Sequence, residues 1–274
     1  MRSRARILSP VFIVVISIVF LVPFAFILLT AAKTEREASQ LEFSLPTDWA
    51  LFQNLADAIQ AHDYMLVTAF INSVIITVVS VTIMVVLAAM VGYVLQRRKS
   101  RWTRVADVLI LSGLIIPPAV VPTVWVLQEL SLFKTLQGLI LIEVAFGLSF
   151  SILLFRAFVA TIPRELDEAA IIDGAGPLRV FFSVIFPLLR SVVVTVIVVQ
   201  SVTVFNDFTN PLYFLPGDDH VTVQLTLFNF QSQFATSYNL LFADILLITI
   251  PPLIMFMFFN RKLVEGLTAG AVKG

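Results

Sequence analysis

The chain has 274 residues, 59% of them hydrophobic and 13% charged, and its 18 basic and 18 acidic side chains cancel to a formal net charge of zero. A mean hydropathy of +0.97 excludes an ordinary soluble domain, in which roughly 25% of residues are charged, and reads as a membrane protein. The balanced charge argues against a nucleic-acid partner, and the lack of cysteine excludes a disulfide, a thiolate metal site and a cysteine nucleophile.

A hydrocarbon core of about 30 Å needs roughly 20 apolar residues per helix. Six runs meet this, near 10–32, 67–95, 105–131, 138–159, 183–209 and 239–259. The expected fold is therefore all-α and polytopic, one transmembrane domain over 1–274 with a core at 67–262. The first run follows Arg2, Arg4 and Arg6 and is longer than the roughly 7–15 apolar residues of a cleaved signal, so it reads as an anchor at 10–32. The next segment, "LPTDWALFQNLADAIQAHDYM", spaces Trp49, Phe52, Leu55 and Ile59 as a short amphipathic helix on the outer surface. Pro117, Pro118 and Pro122 in the third run and Pro251 and Pro252 in the sixth imply kinks. The segment 210–238, with Pro211, Pro216-Gly217 and "NFQSQFATSY", reads as a structured outer loop.

Basic residues accumulate in alternate connections. With the N-terminus inside, fifteen of the eighteen Lys and Arg are cytoplasmic, and only Lys33, Arg36 and Lys134 lie outside. Both termini are then cytoplasmic, and so is the connection between spans four and five.

That connection contains "DEAAIIDGAG" (167–176), an acidic stretch between two apolar runs. Pro163 suits a first helical position, Glu165, Asp167 and Glu168 put negative charge where the helix dipole favours it, and Gly174 suits the terminus. The expectation is a helix of about ten residues, roughly 15 Å long, with Leu166, Ala169, Ala170 and Asp173 on one face. Interfacial helices are usually basic on their polar face, so an acidic one points to a protein partner rather than to headgroups. Gly176-Pro177 opens a second helix leading into the fifth span.

Glu168-Ala169-Ala170, Gly174 and Pro187 together resemble the EAA motif of permease subunits of ATP-binding-cassette importers, with Val184 and Phe186 departing from its isoleucine and leucine. "FNDFTNPL" at 205–212 is similar to the Trp-Asn-Asp-Phe run of carbohydrate-importer permeases, with Phe205 for tryptophan. "FINSVIIT" at 70–77 and the tail "EGLTAGAVKG" resemble the MalG-like maltose-permease branch. The resemblance covers nearly the whole chain. It implies a coupling helix at 163–176 docked in a cleft of a separate ATPase dimer, with Glu168 facing a basic residue there and Ala169, Ala170, Asp173 and Gly174 in the contact. It also implies a second permease as heterodimer partner, an extracytoplasmic solute-binding protein, and a sugar as substrate. The setting would be the cytoplasmic membrane of a bacterium or archaeon.

No G-x-x-x-x-G-K-[ST] loop, H-E-x-x-H or G-x-S-x-G occurs, so ATP and Mg belong to the partner, and no catalytic, cofactor or metal residues are assigned. Both histidines, His62 and His220, fall in outer segments. The rival reading is an ion-coupled secondary transporter using Glu129, Glu143, Asp207 and Asp244. All four sit toward the outer ends of their spans, where a solvated or helix-end role is the plainer explanation. For a substrate path, Gln200, Thr203 and Asp207 share a helical face, with Asn206 adjacent and Phe205 nearby. Interhelical hydrogen bonding is the alternative for these polar side chains.

Overall fold

Backbone groups that enter hydrocarbon must find partners within their own segment, and the computed structural model meets that demand with helices. It describes residues 2–231 and 236–271, with side chains over 16–231 and 236–259. The basic residues Arg2, Arg4, Arg6, Arg261, Lys262 and Lys273 and the tail motif therefore lie outside the described side chains. Among the described residues there is no strand, only an isolated antiparallel bridge between Gln231 and Thr236, so the chain is all-α.

In chain order, α1 (Arg2–Ala31) covers the first expected run and α2 (Glu35–Ala38) is one turn of the segment expected on the outer side. The long α3 (Leu51–Arg97) is interrupted where Ala61 is extended and His62, Asp63 and Tyr64 take left-handed φ values of 51°, 55° and 60°. This break separates the expected short outer helix from the second span. Next, α4 (Arg101–Ile115) and α5 (Val120–Glu129) stand in place of one third span. A capping box fixes the start of α4: Thr103 N–H donates to Ser100 Oγ at 3.3 Å, and Ser100 N–H donates to Thr103 Oγ1 at 3.1 Å. The end is set by Pro117 and Pro118, which force Ile116 into an extended conformation and supply no N–H. The two helices meet at 115°, so the expected kink is a full break.

The fourth expected span is α6 (Leu136–Val159). After α7 (Glu165–Ile172), the chain runs through α8 (Pro177–Arg179), a π-helical stretch (Val180–Ile185) and α9 (Phe186–Leu188) into α10 (Arg190–Phe205). A 78° bend parts Pro177–Leu188 from α10, so the expected run 183–209 is not one helix and its first seven residues, 183–189, belong to the connector. The chain continues through α11 (Thr209–Phe214), α12 (Val223–Thr226), a 3-10 turn (Leu227–Phe230) and α13 (Tyr238–Ala271). Pro251 and Pro252 lie inside α13 without ending it.

Two compact units result. In the first (1–70 and 222–251), Ala31, Ala58, Phe230, Leu241 and Ala243 form the core, and Phe26 meets Phe242 edge-on at 5.6 Å. Asn54 and Ala58 of α3 turn into this core and Leu55 packs half-buried against it, whereas Trp49 and Phe52 of the expected apolar face are exposed. Asn54 is buried because its amide donates to the Ala31 and Lys33 carbonyls, both at 2.8 Å, satisfying orphan acceptors at the end of α1. In the second unit (71–221 and 252–274), α6 packs against α4, α10 and α11 around Phe155, Val159, Ile185 and Val192. A Cβ added at Gly92 would lie 3.0 Å from Arg156 N and Phe155 Cβ, so α3 and α6 touch at backbone distance, as small residues permit in lipid.

Val74 and Val78 on α3, Val108 and Leu109 on α4, and Phe256 and Phe258 on α13 are all exposed, which a lipid solvent tolerates and water does not. Among the described residues three helices are long and apolar enough to cross a membrane: Leu51–Arg97, Leu136–Val159 and Tyr238–Phe259. The two bent pairs raise this to five, and Ile16–Ala31 is a shorter apolar helix.

Candidate functional site

The sequence places three acids in the opening turns of α7 with one electrostatic role. The fold separates them. Asp167 is buried, its Oδ2 lies 2.7 Å from Arg97 Nε, and its Oδ1 accepts from Tyr93 Oη at 2.8 Å. Arg97 also donates to the Ile162 carbonyl at 3.0 Å, so the last turn of α3 holds both the start and the loop before α7. Tyr93 and Arg97 are one helical turn apart, and that spacing is a readable signal; Arg97 otherwise registers only as topology charge.

The residue after Asp167 turns the other way, since successive helical positions differ by 100°. Glu168, Ala169, Asp173 and Gly174 are exposed and Ala170 is half-buried. Leu166, on the expected common face, is 40% exposed. The helix spans eight residues rather than ten, with Pro163 before its N-cap Arg164. It closes in a Schellman motif: Ala175 N–H donates to the Ala170 carbonyl at 3.0 Å and Gly174 N–H to the Ile171 carbonyl at 2.9 Å. Gly174 has φ +81°, and a Cβ there would meet nothing of its own chain. Its requirement inside this chain is therefore conformational. Behind α7, the rings of Tyr93 and Phe181 meet at a tilt of 46° with centroids 5.6 Å apart and Phe181 meets Phe186 at 5.7 Å, fastening the π-helical stretch to α3. The two departing motif positions, Val184 and Phe186, both pack half-buried against the core.

A second site is a cleft of about 370 Å³ between α6, α10 and α11. Gln200, Thr203 and Asp207 line it together; Asn206, exposed, is not among its walls. Gln200 is buried and donates to Gly147 O at 3.2 Å and Ser151 Oγ at 3.0 Å, so it also ties α10 to α6. Thr203 Oγ donates within its helix to Val199 O at 3.0 Å. Asp207 Oδ1 accepts the N–H groups of Thr209 at 2.8 Å and Asn210 at 3.2 Å, capping α11. The aromatic walls are Phe146 and Phe150, whereas the expected Phe205 is buried elsewhere. Sequence reasoning missed Asn210 and the alliance of Glu143 with it: Asn210 Nδ2 donates to Glu143 Oε1 at 3.2 Å.

Of the carboxylates of the ion-coupled alternative, Glu143 and Asp207 share the cleft of α6, α10 and α11, and Glu129 does not line it. Glu129 is exposed at the end of α5, and Asp207 caps α11. Glu143 is buried in the cleft wall, and Asp244 is buried in the other unit, accepting from Thr226 Oγ at 2.9 Å. His62 and His220 are both exposed.

Comparison with known proteins decides between the readings. Residues 84–268 match the family described as binding-protein-dependent transport system inner membrane component. The chain belongs to that family. The permease is similar to the melibiose/raffinose/stachyose import permease protein MelC of Bacillus subtilis, 29% identical over 100% of this chain and 99% of that one. It is also similar to the diacetylchitobiose uptake system permease protein NgcG of Streptomyces coelicolor (31% identical, 98% and 90% covered). A third relative is the probable starch degradation products transport system permease protein AmyC of Thermoanaerobacterium thermosulfurigenes (32%, 95% and 94%). In fold, the permease matches a chain of a bacterial ABC transporter involved in import of the acidic polysaccharide alginate, with TM-score 0.81 at 21% identity over 93% of this chain and 95% of that one. The permease is thus a multi-pass inner-membrane component of an ABC importer, and this reading is favoured over an ion-coupled carrier.

Proposed function

We propose that this chain is one of two permease subunits forming the path for a sugar that an extracytoplasmic binding protein delivers, with ATP hydrolysis confined to a separate ATPase dimer. The observation that carries the proposal is the division of labour in α7. Asp167 is locked inward against Arg97 while Glu168, Ala169, Asp173 and Gly174 are offered outward with nothing of their own chain over them. A helix anchored on one face and open on the other transmits force only if a second body grips the open face. Coupling therefore runs from the ATPase through α7 and Asp167–Arg97 into α3.

The domain acts as one permease over 1–274, with its core at 67–262, its anchor at 10–32 and its coupling segment at 163–176. Six spans with both termini cytoplasmic follow if α1 and the two bent pairs each count once beside the three long helices. The chain itself is no enzyme and binds neither ATP nor Mg. A sugar substrate is supported by the relatives named for oligosaccharide import. The cleft between α6, α10 and α11, with Gln200, Thr203 and Asp207 beside Phe146 and Phe150, offers the mixed polar and aromatic walls that a sugar needs, and Asn206, exposed next to Asp207 in sequence, is the fourth polar residue of the proposed path.

The test is a complex carrying Gly174→Trp with Glu168→Lys. It should insert in the membrane normally, because neither position lies in a span, and lose ATPase attachment or transport-coupled hydrolysis by at least roughly tenfold, the equivalent of about 1.4 kcal/mol of docking energy. Full co-purification and an unchanged transport rate would sink the proposal.

A further inference from the structure

At the end of the second unit where α3 and α6 stop and α4 begins, a cleft of about 670 Å³ opens. Arg98, Lys99, Arg104, Arg156 and Arg164 line it, with Asp107 as its single carboxylate. Asp107 is already paired with Arg156. Among the described residues, the other four cations have no acidic partner. The four are solvent-exposed, and a hollow walled by charges of one sign concentrates anions, while guanidinium groups match phosphate oxygens in fork geometry.

The surroundings narrow the anion. On α4, immediately beside the cleft, Trp102 is 76% exposed, and Val105, Val108 and Leu109 continue an exposed apolar stripe along the same helix. Tryptophan flanked by Arg101 and Arg104 at a helix start is the arrangement found at membrane–water boundaries. A phosphate dissolved in water needs the cations only. A phospholipid needs the cations for its headgroup and the stripe for its chains, and both are present in register.

We propose that this cleft binds the phosphate of an anionic phospholipid, whose acyl chains lie along the exposed face of α4. The site borrows Arg164, the N-cap of α7, but none of the exposed coupling residues Glu168, Ala169, Asp173 and Gly174, it shares no wall with the cleft of α6, α10 and α11, and it does not depend on the substrate being a sugar. Zwitterionic lipids are disfavoured because their ammonium would sit among arginines.

The intact membrane complex, stripped of lipid in detergent, is titrated with dioleoyl phosphatidylglycerol, dioleoyl phosphatidylcholine, glycerol 3-phosphate and inorganic phosphate, and bound lipid is counted by native mass spectrometry. Phosphatidylglycerol should be retained and phosphatidylcholine washed out, with millimolar phosphate or glycerol 3-phosphate displacing neither. Each basic residue near an anionic headgroup contributes roughly fivefold, so Lys99→Gln with Arg104→Gln should weaken phosphatidylglycerol binding roughly thirtyfold. Lys99→Arg with Arg104→Lys should restore it, and Lys134→Gln should leave it unchanged. Unaltered lipid affinity in the double glutamine variant overturns the proposal. So does displacement by free phosphate, which would make this a soluble-anion site. Loss of a protein subunit with lipid binding intact would make it a protein contact and equally overturn the lipid assignment.

Discussion

Asp207 lines the cleft of α6, α10 and α11 and, through Oδ1, receives the first N–H groups of α11. The two roles separate by substitution. Asp207→Asn keeps an N-capping oxygen and removes the charge, so melting should move by no more than about 1 °C, whereas Asp207→Ala should cost about 1 kcal/mol, or roughly 2–4 °C. If the carboxylate contributes to the path, both variants lower transport of the reconstituted complex, and a fully active Asp207→Asn would assign it to capping alone. Helical spacing made the grouping of Gln200, Thr203 and Asp207 legible, because α10 carries the first two and Asp207 follows just past its C-cap Asn206. Glu143, Asn210, Phe146 and Phe150 were not legible as neighbours, since α6 contributes three of them from some sixty residues away. Phe205 followed its neighbour Asp207 in sequence but not in space, being buried on another face.

At the scale of elements, the link between α3 and α7 is the one to break. Arg97 and Asp167 side chains are 12% and 10% exposed, and removing one partner leaves the other buried and unpaired. Arg97→Leu or Asp167→Leu alone should destabilise by about 3–5 kcal/mol, while the double leucine variant should recover much of that loss. Thermal unfolding of the complex reads this cycle; additive losses would mean that the pair is not energetically joined. The double variant should nonetheless couple hydrolysis to transport poorly, because the charged strut is gone. Hydropathy located every long helix, but it carries no direction, so the 115° break at Pro117–Pro118 and the 78° bend before Arg190 were invisible in it. Proline marked the first site without its angle. The second falls at Leu189, two residues past Pro187, after a π-helical stretch that no residue type announces.

For the whole molecule, charge in the proposed path sets an expectation about which sugars it would accept. Among the described residues lining the cleft of α6, α10 and α11 there are two carboxylates, Glu143 and Asp207, and no Lys or Arg. Like charges brought together cost several kcal/mol, so a reconstituted complex should take up a neutral oligosaccharide at least roughly tenfold faster than a uronic acid oligomer of equal length. Glu143→Gln with Asp207→Asn should narrow that ratio, and equal uptake by the unmodified complex would count against the cleft as path. The exposed side of the coupling segment has a different consequence for the cell. Ile172 is 85% exposed, with Ile171 at 61% and Leu178 at 64% beside it, all outside the long apolar helices. A copy made in excess of its ATPase presents an adhesive patch to chaperones and quality-control proteases. Abundance in the membrane should then be capped by the scarcer partner, and a pulse-chase should show the permease lost faster without the ATPase than with it.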